Sequence, residues 1–350
     1  MGWRDPTESA GLLNPRAVLA AALVVVAGAI LGVAGFAVEQ SSANWHPHVV
    51  RTASGWRITE PGAGIGDPAL SGDHLAWQDG PYTVIMDLRN GRSRLIGDGV
   101  NAGSVASPAV STSGVVWEES AGDAARRSSV YGFDFATGRR LLLGQAATSP
   151  TTPALNGAAV YWLSGDEVIG CDLAGGKPAV VAQQTGIGQF LMASGSLVAW
   201  SQQVSPGAPF QLTLHDTTAG TTAPLRLPGQ TPGTVFDTPI LADDTLAWLR
   251  ADQQDSTASI TTYDLQTFAE REVAVGRVLV GPGFDGATVA WAQPAGAGEA
   301  IMALALGDAA PVTVAHVATG VQSVLVSGDT VAWWMRTASR SWIETARLPS

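Results

Sequence analysis

The residues of this 350-residue chain that could carry chemistry are few and scattered: one cysteine, five histidines and thirty acidic side chains. Cys171 stands alone, so no intrachain disulfide forms, and no CxxC or Cys/His cluster offers zinc or redox chemistry. It reads as a small apolar strand residue. No GxSxG elbow, HExxH pair or phosphate-binding loop occurs. His46 and His48 have the spacing of a metal-binding pair, but they fall in a polar, Pro-containing stretch that reads as a solvated tether. His74 and His316 sit in strand-like contexts. His215 precedes Asp216 at a position filled elsewhere by Met86, Phe133, Cys171 and Tyr263, which points to a structural role. Asp87, Asp134, Asp172, Asp216 and Asp264 each precede a turn, where a carboxylate caps backbone N–H groups. A catalytic set does not recur once per repeat. The expectation is therefore no catalytic residues, no metal ligands and no cofactor.

The elements that must position these residues are repeated. An apolar residue, then most often Ala, then Trp recurs as LAW, VVW, VYW, VAW, LAW, VAW and VAW, ending at Trp77, Trp117, Trp162, Trp200, Trp248, Trp291 and Trp333. The spacings are 40, 45, 38, 48, 43 and 42 residues. Spacing in the forties with strand-like segments marks a propeller blade of four strands. Each unit opens near a proline (Pro68, Pro108, Pro153, Pro239, Pro282), read as a strand start, where the missing N–H is harmless. A tight turn, the Trp strand, an Asp-containing hairpin and a fourth strand follow. Residues two apart share a face, so Trp lies with the preceding Val or Leu while the residue between them, Ala in five of seven copies, faces the other way. A large face on one blade then meets a small face on the next, and the tryptophans are structural.

The seventh unit ends after its third strand, while GWRITEPG (55–62) upstream of the first resembles a fourth strand. A strand at 55–60 that completes the last blade shuts the ring and removes its open edge. The fold expected is all-β: a single seven-bladed β-propeller of four-stranded antiparallel blades over residues 55–350, with six or eight blades as the less favoured counts.

The repeat resembles that of the TolB-like β-propeller family (the WD40-like, or PD40, repeat), carried by DPALSGDHLAW and VIMDLRNGRSRLI (within 67–96) and by SPAVSTSGVVW and VYGFDFATGRRLLL (within 107–143). The family's Pro-Asp-Gly turn is shortened here to forms such as SGD, and Trp stands where Phe or Val is usual. The hairpins are also similar to quinoprotein repeats but lack the Trp after Thr-Gly, as ATGRRLLL (136–143) shows. The resemblance implies a fold rather than an activity.

Residues 17–38 are uncharged and almost wholly apolar, long enough at ~1.5 Å per residue to cross a hydrocarbon core of about 30 Å. Arg4 and Arg16 precede this segment, which orients residues 1–16 as a cytoplasmic tail and places the remainder outside, after a linker at 39–54. The alternative is a signal peptide cleaved near GFA (35–37) or SSA (41–43), which secretes the rest. A net charge of −11 without a basic run argues against nucleic acid. The units differ most in the loops after the Trp strand. Arg126, Arg127, Gln202, Gln203, Arg250, Gln253 and Arg336 are the candidate binding residues there. The function expected is a membrane-anchored, extracytoplasmic module that binds or scaffolds a cell-envelope protein or glycan. The alternative is a propeller-fold polysaccharide lyase or hydrolase.

Overall fold

The structure, a computed structural model, describes residues 47–60, 64–97, 104–120, 128–146, 153–184, 187–203, 211–227, 234–252 and 257–349. The apolar segment 17–38 lies outside them. Among the described residues no helix is long and apolar enough to cross a membrane.

Two short strands come first, β1 (His48–Arg51) and β2 (Trp56–Thr59). Blade 1 is β3 (Ile65–Ser71), β4 (His74–Asp79), β5 (Tyr82–Asp87) and β6 (Arg92–Leu95). Blade 2 is β7 (Ser104–Val110), β8 (Gly114–Ser120), β9 (Ser128–Asp134) and β10 (Arg139–Ala146). Blade 3 is β11 (Ala154–Asn156), β12 (Ala159–Ser164), β13 (Glu167–Asp172) and β14 (Ala179–Gln183). Blade 4 is β15 (Ile187–Ser194), β16 (Leu197–Gln203), β17 (Gln211–Asp216) and β18 (Thr221–Leu225). Blade 5 is β19 (Thr234–Ala242), β20 (Thr245–Asp252), β21 (Thr257–Asp264) and β22 (Glu270–Gly276). Blade 6 is β23 (Val280–Phe284), β24 (Thr288–Ala295), β25 (Gly298–Ala305) and β26 (Val312–Val317). Blade 7 opens with β27 (Val321–Ser327), β28 (Thr330–Arg336) and β29 (Ser341–Arg347).

Every blade is an antiparallel meander, and the seven sheets make a seven-bladed β-propeller. The first strands contact one another in turn, β3 to β7, β11, β15, β19, β23, β27 and back to β3, and so ring the central axis. Blade 7 is completed from the other end of the chain: β2 pairs with β29, placing Arg57 opposite Glu344 and Ile58 opposite Ile343. It departs from the four-stranded expectation, because β1 adds a fifth, outermost strand from within the stretch 39–54 expected to be a linker. Hairpin pairing with β2 satisfies the backbone groups on its inner edge.

The repeated Trp packs as its alternation with small residues requires. All seven are buried, each at 2 % exposure or less. Trp117 clusters with Ala76 of the preceding blade, Trp162 with Val116, Trp248 with Ala199, Trp291 with Ala247 and Trp333 with Ala290. Trp200 packs against Tyr161, the one large residue at that middle position. Gly144 admits Trp162 so closely that a Cβ there would lie 2.5 Å from the indole ring.

The turns between first and second strands interlock on the lower rim. Ser111 Oγ donates to Gly157 O (2.7 Å) and Asn156 Nδ2 to Gly195 O (2.7 Å). Asp243 N donates to Ser194 Oγ, Gly328 N to Asp285 Oδ2 and Gly72 N to Ser327 Oγ, each at 2.8 Å. Each bond joins one blade to the next, so the polar turn residues that end the first strands act as fasteners.

Candidate functional site

The hairpin aspartates cap turns. Asp87 Oδ1 accepts from Arg89 N (2.9 Å), Asp134 Oδ1 from Ala136 N (2.9 Å) and Asp172 Oδ1 from Ala174 N (2.7 Å). Asp216 accepts from Thr218 N (2.8 Å) and Asp264 from Thr267 N (2.7 Å). Bonding by the Arg89 side chain, the Thr137 hydroxyl, the Ala219 amide and the Thr267 amide, first in each case, holds Asp87, Asp134, Asp216 and Asp264 below the usual carboxylate range. His215 is buried with Nδ1 2.9 Å from Thr222 Oγ1, and burial pushes its ionisation down. His74 packs against Phe135 in a tilted pair with ring centroids 4.4 Å apart, and burial lowers it too. Burial, with Asp172 beside it, raises the half-buried Cys171 thiol to about 11, which keeps it protonated. These groups serve the scaffold.

Charged side chains, buried or half-buried, also join strands and blades. Arg140 Nη2 donates to both carboxylate oxygens of Glu119 (2.9 Å each), with its guanidinium 4.1 Å from the Tyr131 ring centroid. Ser128 Oγ donates to Glu118 on the opposite face of β8. Glu299 Oε2 accepts from Gly320 N (2.9 Å) and Val321 N (3.0 Å), tying blade 6 to blade 7.

The candidate binding residues divide. Arg126, Arg127 and Gln253 lie outside the described residues. Gln203 ends β16, Arg250 is half-buried in β20 and Arg336 is half-buried at the end of β28. All three second strands run the same way, so these positions share the upper rim. Gln202 belongs to the interior instead: it is buried, and its Oε1 accepts from the Trp200 indole N–H at 3.2 Å. Glu119 and Gln293 take the same role for Trp117 (2.8 Å) and Trp291 (3.0 Å), also two residues on. A side chain two residues along a strand shares the face of the Trp, and a Glu or Gln is long enough to reach back.

The feature that sequence reasoning missed lies on the innermost strands. Four of the five prolines read as strand starts sit inside them, within a bulge, while Pro153 directly precedes β11 as read. Pairing skips Asp67–Pro68, Ser107–Pro108, Thr238–Pro239 and Gly281–Pro282, and each dipeptide faces a Trp across the blade. Phe190–Leu191 makes the same bulge without proline, and Gln322 is the extra residue in blade 7. A bulge leaves backbone groups out of the ladder, so the missing N–H of proline costs nothing there. The backbone is left-handed at Asp67 (φ 44°), Phe190 (φ 46°) and Gly281 (φ 121°). For a bulky residue such as Phe this conformation costs on the order of 1–3 kcal/mol, and such strain concentrates where a surface is used. Asp67, Phe190 (40 % exposed) and Gln322 are all exposed. The inner ring thus presents a carboxylate, an aromatic ring and an amide on a rigid frame. The signal, an X-Pro dipeptide in the first strand, was present in the sequence, but its register was not.

Fold comparisons agree with this architecture. The propeller domain of the Trilobed protease from Pyrococcus furiosus, described as having an open velcro topology, superposes with a TM-score of 0.59 at 11% identity, covering 83% of this chain and 99% of that one. An oligogalacturonate lyase in complex with manganese gives 0.57 at 11% identity, over 87% and 96%. TolB from Acinetobacter baumannii also matches, with a TM-score of 0.46 at 13% identity over 74% and 76%. The class so defined is the seven-bladed propeller. Neither a protein-family model nor a curated protein matches the chain.

Proposed function

We propose that the protein is a membrane-anchored, extracytoplasmic binding module that holds a protein or glycan of the cell envelope on its inner ring and upper rim. The observation that carries this reading is the exposure of Phe190 and Asp67 in left-handed backbone on the innermost strands, with Gln322 on the same ring. An aromatic face for stacking on blade 4, with acid and amide hydrogen-bonding groups three blades away round the same ring, makes a recognition set. The ionisable groups Glu119, Arg140, Glu299 and His215 are bonded within the scaffold. The uncharged stretch 17–38 supplies the anchor in this reading.

The test is binding of purified protein to a panel of envelope glycans and envelope proteins, with Phe190→Ala and Asp67→Asn combined as the comparison. A ligand held by the parent and lost by the folded variant supports the proposal. Equal retention by both contradicts the ring as the site. The second reading, a polysaccharide lyase, rests on the fold shared with oligogalacturonate lyase. That enzyme was solved with manganese, whereas among the described residues here no three His, Cys, Asp or Glu side chains come together to hold a metal. Release of unsaturated products from polygalacturonate would favour it.

A further inference from the structure

Six blades interrupt or charge their outer edge, and blade 7 does not. In β10, β14, β22 and β26 the pairing with the strand inside slips by one residue, at Leu143, Val181, Val273 and Val314, so each edge bends in a bulge. β18 carries Pro224, which has no N–H, and two of the four residues of β6 are arginine. Bulges, proline and charge are the devices by which sheet edges avoid pairing with other chains. β1, the outermost strand of blade 7, pairs with β2 in unbroken register from His48–Thr59 to Arg51–Trp56. It contains no proline. Thr52 N donates to Gly55 O (2.9 Å) and closes the hairpin. Antiparallel alternation then turns the backbone groups of His48 and Val50 toward β2 and those of Val49 and Arg51 outward. Trp56 N obeys the same alternation, donating away from β1 to Thr345 Oγ1 at 2.9 Å.

We propose that the outer edge of β1 is a docking strand for an extended, acidic segment of a partner protein, which adds antiparallel to blade 7 as a sixth strand. This edge lies on the outside of the ring, apart from the inner strands. Charge selects the occupant. The chain has a net charge of −11, yet β1 and β2 hold His48, Arg51 and Arg57 and no acid. Glu344 neutralises Arg57 at 2.7 Å. Arg51 is exposed, with its guanidinium 5.3 Å from the Trp56 ring centroid, and no carboxylate pairs with it among the described residues. The Trp56 ring is itself fixed by its bond to Leu88 O (2.7 Å), so the cation rests on a rigid support. Residues opposite each other in a sheet share a face, so an acid opposite Arg51 lies beside its guanidinium. The next residue falls opposite Val50, which is 42 % exposed on the other face and suits an aliphatic side chain. A segment reading acid, aliphatic, aliphatic, polar thus meets Arg51, Val50, Val49 and His48 in turn. Backbone bonds supply the affinity and these side chains the selection. The β1 strand of a second copy would bring no acid to the edge.

The probe is a backbone-cyclised hairpin peptide whose open strand reads Glu-Val-Val-Thr, with Lys in place of Glu as the control. Binding to the full chain is read by fluorescence anisotropy and by amide exchange. The acidic peptide should bind and slow exchange at Val49 and Arg51, whose amides point outward, while exchange at Val50 stays as it was. Val49→Pro removes an outward N–H without touching the bonds to β2, and should abolish binding with the thermal midpoint unchanged. Arg51→Glu should weaken the acidic peptide about tenfold and strengthen the Lys control, which keeps the test decisive should Val49→Pro disturb the hairpin. Equal binding of the two peptides, undiminished binding by Arg51→Glu, or no binding at millimolar peptide overturns the proposal. So does a dimer of the parent in light scattering that Val49→Pro dissolves, since that outcome gives the edge to a second copy.

Discussion

Gly144 shows how much a single residue decides here. With a Cβ 2.5 Å from the Trp162 ring, Gly144→Ala overpacks the boundary between blades 2 and 3, and chemical denaturation should show a loss of about 1–3 kcal/mol. Arg140→Leu removes the partner of a nearly buried carboxylate and leaves Glu119 uncompensated. The expected cost is about 3–5 kcal/mol, which the same assay measures. Phe268 points the other way. It holds φ 59° and is 70 % exposed at a hairpin tip where other blades place Gly91, Gly138 and Gly220. Phe268→Gly should therefore stabilise by roughly 1 kcal/mol. The role of the tryptophans and of the hairpin aspartates was readable in the chain, because burial at strand spacing and turn capping are local. The engagement of Gln202 by Trp200 was not. Gln202 opens a polar run, Gln-Gln-Val-Ser, that reads as loop, and its direction depends on where β16 ends.

Among the elements, the closing hairpin bears most on the architecture. Its strand was visible in the sequence, expected at 55–60 and found at Trp56–Thr59, because the last unit shows only three strands of its own. The added strand β1 was not, since HVVR between polar stretches carries no repeat signal. Trp56 locks the hairpin onto blade 1. Its Nε1 donates to Leu88 O at 2.7 Å, and its ring fills the space over Gly91, where a Cβ would approach to 2.5 Å. Trp56→Ala should cost about 2 kcal/mol and accelerate exchange at β2 before exchange at β9 or β21, as hydrogen exchange with mass analysis would show. The bulged first strands make the complementary case. Their prolines were visible, but a proline suits a strand start and a bulge equally well in sequence, and only pairing to the Trp strand separates the two.

At the scale of the whole molecule, the seven units differ little in their cores and much in their rims, so one sequence discloses the scaffold far better than the ligand. Three of the seven candidate rim residues, Arg126, Arg127 and Gln253, lie outside the described residues, and the exposed inner ring arises from register shifts that a propensity argument does not reach. Charge acts globally as well. The capping aspartates are held low, so their stabilisation is present above the ordinary carboxylate range and is lost as pH falls through their folded values, below about 4. Thermal midpoints should thus fall as the solution is acidified below about pH 4.

All of this depends on the two ends of the chain meeting in one blade. Arg57 and Glu344 lie directly opposite in the β2–β29 pair, 287 residues apart in sequence, with Arg57 Nε 2.8 Å from Glu344 Oε1. The most direct measurement is oxidation of the double variant Arg57→Cys, Glu344→Cys, read by thiol titration and by mobility after cleavage within the intervening chain. The closed propeller predicts a rapid, intramolecular disulfide that leaves Cys171 free and raises the thermal midpoint. Persistent thiols, or cross-links only between molecules, would contradict it.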